Sequence, residues 1–106
     1  MYNLTTWEKY GGLGQLTQTG MSQHRQFGQY LRNRYPDFLN KFYNRNEVYA
    51  RSTDYDRTLM SSYSLLSGLF PPQGYQKFDG NLIWQPITVH TTDANSDMVC
   101  IFIYFF

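Results

Sequence analysis

Between Val48 and Phe70 the hydrophobic period of this chain changes, and no other feature constrains the fold as much. Val48-Tyr49-Ala50 has the apolar, aromatic character of a short buried strand, whereas Leu59, Tyr63, Leu66 and Phe70 recur at helical spacing. The strand is expected over residues 47–52 and the helix from about 54 to 70. Thr53-x-x-Asp56 reads as the capping box that opens this helix, and Pro71-Pro72 stops it. Arg51 falls at the join. There the end of a strand lies beside the exposed N–H groups of a helix start, a place where α/β proteins hold anions.

Upstream, Gly11-Gly12-Leu13-Gly14 leads into Thr17, the expected N-cap of another helix, with Met21, His24, Gly28, Leu31 and Tyr35 as its inner stripe. Pro36 disfavours helical geometry at Tyr35 and should end that helix, with a short turn to follow in residues 36–43. The run Asn44-Arg45-Asn46-Glu47 then turns the chain into the strand. Two helices flanking a central strand make the expected fold class α/β. After Gln73 the pattern becomes rich in turns, and residues 82–84 (LIW) and 87–90 (ITVH) read as edge strands around Gln85-Pro86. Residues 98–106, MVCIFIYFF, are much shorter than the ~20 residues of a membrane helix. They read as a buried strand or, having no charge, proline or glycine, as an adhesive edge.

The chain of 106 residues is long enough for one domain or part of one. A net charge of +1 gives no broad basic field for a phosphodiester backbone, so nucleic acid is not an expected partner. Cys100 is the only cysteine, which excludes an intrachain disulfide and leaves the redox compartment open. Met1 to Trp7 have neither the basic start nor the apolar run of a secretory leader, and Asn3-Leu4-Thr5 is a glycosylation triplet that matters only in the secretory pathway. His24, His90 and Cys100 lack metal-ligand spacing, so no metal site is expected. Arg51 is the leading anion-binding candidate. Asp54 and Asp56 suit the positive end of a helix, Arg57 reads as part of a solvated helix face, and His24 reads as a packed stripe residue.

Three stretches, GLGQLTQTGMSQHRQFGQYLRNRY, VYARSTDYDRTLMSSYSLLSGLFPP and LIWQPITVHT, stand in the order and spacing of the histidine acid phosphatases. The likeness is greatest to their prostatic and lysosomal branch and runs from about Trp7 to Thr91. It implies a partial histidine phosphatase domain, related in fold to the phosphoglycerate mutases, over residues 1–91 and a divergent apolar tail over 92–106. Family members hydrolyse phosphate monoesters through a phosphohistidine. The nucleophile lies in an Arg-His-Gly motif, arginines hold the phosphoryl oxygens, and an acid from a His-Asp motif protonates the leaving alcohol. By this resemblance Arg51 matches the arginine that grips phosphate, with Thr53 and Asp54 supporting it, and no cofactor is implied. The ligand would be a phosphate monoester or inorganic phosphate.

Neither Arg-His-Gly nor His-Asp occurs in these 106 residues. His24 stands between Gln23 and Arg25 and matches a helix position of the family, so it does not replace the nucleophile. The tail implies a truncated gene model or an alternative transcript. Two expectations follow. In one the chain is part of an acid phosphatase and is inactive alone. In the other it is an inert interaction module that forms a homodimer or pairs with a full-length homologue through LIWQPITVHT. Relatives of this kind are lysosomal or secreted, but the residues present carry no targeting signal.

Overall fold

A computed structural model describes residues 14–92 and 101–105. The glycosylation triplet, the start of the Gly-rich lead, Cys100 and the junction at 93–98 lie outside them.

The α1 helix, Gln18–Arg34, starts where the sequence places it, because the Thr17 hydroxyl accepts the Gly20 N–H at 3.1 Å and so satisfies one of the helix's open donors. It stops at Tyr35, whose N–H still reaches the Leu31 carbonyl at 3.0 Å before Pro36 forbids another turn. Strand β1 spans Val48–Thr53 and helix α2 spans Asp56–Leu69. Gly74–Gln76 form one 3-10 turn, and strands β2, Val89–Thr92, and β3, Ile101–Phe105, complete the structure.

The sheet order is β2-β1-β3. Strand β2 runs parallel to β1, with His90 opposite Arg51, and β3 runs antiparallel to it, with Phe102 opposite Arg51. A strand, a helix and a parallel neighbouring strand make a crossover unit, which presses α2 onto the sheet. Val48 and Ala50 of β1 point into the core with Leu66 and Leu69 of α2 and Phe70 just after it, closed by Leu39 and Ile87. Helix α1 docks chiefly on α2, at a crossing where Gly28 and Gly68 bring the two backbones together. A β-carbon on Gly68 would land on the Arg25 carbonyl, and one on Gly28 on that of Leu65.

Four details depart from the sequence reading. The capping box does not form, because Thr53 belongs to the strand and the N-cap is Tyr55, which makes no side-chain cap. The Thr58 hydroxyl instead ties the turn from inside the helix, within 2.8 Å of both the Thr53 and Tyr55 carbonyls. Tyr35 and Tyr63, placed on inner stripes, are 48% and 45% exposed. Gly28 and Gly68 hold the helices so close that the packed positions shift to the small residues beside them. Residues 82–84 form no strand, and only Val89 and His90 of the predicted 87–90 segment join the sheet.

Arg32 carries a role that helix periodicity does not reveal. Its Nε donates to the Leu69 carbonyl at 2.8 Å, its Nη1 donates to the Leu39 carbonyl at 3.1 Å, and its guanidinium lies 4.8 Å from the centre of the Phe70 ring. Burial pushes its pKa below the ordinary arginine value, and its buried Nη2 has no hydrogen-bond partner among the described residues. One planar cation thus closes the end of α2 and fastens the 36–43 turn. Arg32→Ala should lower the unfolding free energy by about 2–3 kcal/mol, because two carbonyls lose charged donors. Arg32→Lys should recover less than half of that, since an ammonium cannot reproduce the fork. Urea unfolding of the three proteins checks both values, and full rescue by lysine would refute the fork.

Candidate functional site

Arg51 lies two positions before the end of β1, between His90 and Phe102 on the neighbouring strands. Residues alternate across a strand, so Tyr49 and Arg51 belong to the face opposite Val48, Ala50 and Ser52, the face turned away from α2. The Tyr49 and His90 rings stack there at 4.6 Å with an interplanar angle of 6°. The half-buried Arg51 guanidinium, one exposed imidazole and one phenol therefore share the open side of the sheet.

The β1–α2 junction holds the other candidates. Thr53 is buried, and its carbonyl accepts from the Tyr55 N–H at 2.8 Å and from the hydroxyls of Ser52 at 2.9 Å and Thr58 at 2.8 Å. Such a carbonyl fixes the turn rigidly. Asp54 is exposed just beyond it, and Asp56 occupies the first turn of α2, where a carboxylate suits the helix dipole. Arg57, read from the sequence as a solvated helix residue, also stands in that first turn, past the carboxyl end of β1. Its guanidinium lies 4.9 Å over the Tyr55 ring. The missed signal was its position, since the second residue of a helix that follows a strand reaches the sheet's mouth whichever way the rest of the helix faces.

The structure therefore separates the candidates into an outer-face group, Arg51, Tyr49 and His90, and a mouth group, Asp54, Asp56 and Arg57, with Thr53 between them. His24 belongs to neither. Its neighbour Arg25 meets α2 at Gly68, and at 1.5 Å per residue that lies roughly 16 Å along the helix from Arg57. Among the described residues no three of His, Cys, Asp and Glu are grouped to hold a metal ion, and no helix is long and apolar enough to cross a membrane.

A groove of about 570 Å³ opens on another side, between α2 and the segment before β2. Tyr63, Leu66, Trp84, Pro86, Ile87 and Val89 line it, and Trp84 remains 39% exposed.

Comparison with known sequences gives this geometry a context. The profile of the histidine phosphatase superfamily (branch 2) matches residues 4–100. Lysosomal acid phosphatase of Homo sapiens is 59% identical over 86 residues, 81% of this chain and 20% of that protein. Lysosomal acid phosphatase of Xenopus laevis is 57% identical over 88 residues, 83% of this chain and 20% of that protein. Prostatic acid phosphatase of Bos taurus is 53% identical over 88 residues, covering 83% and 23%. The chain spans about a fifth of the length of these relatives. With nearly all of its residues inside the family profile and more than half of the aligned positions identical, the chain belongs to the histidine phosphatase superfamily, branch 2, among the histidine acid phosphatases.

Proposed function

We propose that this chain supplies the phosphate-holding corner of an acid phosphatase that hydrolyses phosphate monoesters through a phosphohistidine. The observation that carries the reading is the mouth of β1. The first-turn N–H groups of α2 and the Arg57 guanidinium there lie beyond the carboxyl end of a central strand, where open α/β sheets receive ligands. Arg51 is assigned as a phosphate clamp reaching the same anion from the sheet, with Thr53 and Asp54 holding the turn between the two arginines. Planar, permanently charged guanidiniums suit charge that builds on phosphoryl oxygens as the ester bond breaks.

Alone, the chain is inert in this reading, because it contains neither Arg-His-Gly nor His-Asp. Residues 1–91 act as the partial catalytic domain and 92–106 as a divergent tail in this reading, although the family profile continues past that boundary to residue 100. The test is a chimera in which residues 7–91 replace the corresponding part of human lysosomal acid phosphatase, assayed with a chromogenic phosphate ester near pH 5. Arg57→Ala and Arg51→Ala should each reduce kcat/KM by about 10²–10³, the usual effect of removing one donor to transition-state charge. The isolated chain should show no turnover. Full activity in both arginine variants, or hydrolysis by the isolated chain, would refute the proposal, and a loss confined to Arg57→Ala would move the clamp from the strand to the helix.

One observation favours a second reading, the exposed groove beside Trp84. An inert product of this length would act by association, docking on a full-length homologue through residues 82–91. Co-purification with such a homologue, lost in Trp84→Glu, is its expected signature.

A further inference from the structure

Tyr55 occupies the N-cap position of α2, where serine, threonine, asparagine or aspartate is favoured, and its side chain makes no cap. Its backbone is nonetheless fixed on both sides. The Tyr55 N–H donates to the Thr53 carbonyl at 2.8 Å, and the Tyr55 carbonyl accepts from the N–H groups of Thr58 at 3.1 Å and Leu59 at 3.0 Å and from the Thr58 hydroxyl at 2.8 Å. The ring on this anchored backbone is 47% exposed and carries the Arg57 guanidinium 4.9 Å from its centre. Asp54 and Asp56 stand beside this pair in the sequence, yet among the described residues neither forms an ion pair with Arg57.

We propose that Tyr55 is a positioning residue for phosphate binding, a ring that holds the Arg57 guanidinium at the mouth of the sheet with its N–H donors unspent. This role rests on the placement of Arg57 in the phosphate corner proposed above. The choice of partner decides what the cation can do. A carboxylate would occupy two donors of the fork and cancel its charge, leaving little for an incoming anion. A ring attracts the cation through its quadrupole, has no carboxylate oxygens to take those donors, and carries no net charge to repel phosphate. A long side chain held in place before the ligand arrives also loses less rotamer freedom on binding.

The test uses the chimera that carries residues 7–91 within human lysosomal acid phosphatase, with kcat/KM measured on a chromogenic phosphate ester and inorganic phosphate as the competitive inhibitor. Tyr55→Leu should lower kcat/KM about 3–30-fold, the range of one cation–π contact, and raise the Ki of phosphate by a similar factor. Tyr55→Phe, which keeps the ring, should recover activity to within about twofold of wild type. On an Arg57→Ala background Tyr55→Leu should cost nothing further. A purely structural role in the turn, or direct contact between Tyr55 and the leaving group, would cost activity with or without Arg57, and contact with the leaving group would not move the Ki of phosphate. A loss under about threefold in Tyr55→Leu, an equal loss in Tyr55→Phe, an unchanged Ki, or an undiminished effect on the Arg57→Ala background would each overturn the role of the ring and leave the phosphate corner standing. Full activity in Arg57→Ala would instead remove Arg57 from that corner, and the role of Tyr55 with it.

Discussion

Gly68→Ala is expected to destabilise the chain by about 3 kcal/mol, although alanine is the better helix former. In an open helix the exchange would stabilise by about 1 kcal/mol, because alanine restricts the unfolded backbone. At Gly68 the new methyl group falls on the carbonyl of Arg25 and close to the Gln29 nitrogen. Both belong to helix backbone, which cannot rotate away as a side chain would. The helices must separate, and overpacking of this kind costs about 1–3 kcal/mol or more while also loosening Leu66 and Leu69 beneath. Gly80→Ala is the control, because nothing lies within 4 Å of a β-carbon there. Chemical denaturation should show Gly80→Ala near wild type and Gly68→Ala with a much lower midpoint at unchanged slope. An equal or raised midpoint for Gly68→Ala would mean that α1 and α2 do not meet through their glycines.

That crossing also marks how far the sequence can be read. Local chemistry placed the start of α1 at Thr17, its end at Tyr35 and the end of α2 before Pro71-Pro72. Each depends on one residue acting on its own backbone, a hydroxyl accepting an N–H or a proline removing one. The period change at β1 was legible for the same reason. The helix faces were not, because a face is defined by what packs on it. Gly28 stood on the predicted stripe as if it were a gap, whereas it is the contact, and the close approach it permits leaves Tyr35 and Tyr63 outside. Arg32 was equally hidden, since its two acceptors, Leu39 and Leu69, lie far away in sequence or beyond a turn.

The candidate site divides along the same line. Arg51 was legible as a charged residue inside an apolar strand, and its place between His90 and Phe102 agrees with a central strand. Arg57 was legible only as helical, because nothing local says that the first turn of α2 opens at the mouth of the sheet. The capping box failed for a related reason. Thr53 could cap α2 only by leaving β1, and its pairing opposite Thr92 keeps it in the strand. The turn is held from inside the helix by Thr58, leaving Asp54 and Arg57 to face outward at the junction.

The second large effect is expected at Phe70, where four segments converge. Its ring meets the Tyr43 ring edge-on at 5.7 Å and carries the Arg32 guanidinium on its face, while its carbonyl accepts from the Gln85 amide at 3.2 Å. Only 1% of the residue is exposed. Partial burial of Tyr43 itself holds its hydroxyl pKa above the ordinary tyrosine value, opposed in part by the charge of Arg45. Phe70→Ala should cost about 3–5 kcal/mol. Part of this is lost apolar transfer, and part is a cavity that cannot collapse, because Arg32 is pinned to two carbonyls and Pro71-Pro72 fix the chain on the other side. Against a net stability of about 5–15 kcal/mol for a domain, that is a large fraction of the total. Phe70→Leu fills most of the space but gives Arg32 no ring face, so it should fall between wild type and alanine. A measured loss below about 1 kcal/mol for Phe70→Ala would show that the two helices and the 85–89 segment are held together elsewhere, and that the corner carrying Arg57 is positioned without this core.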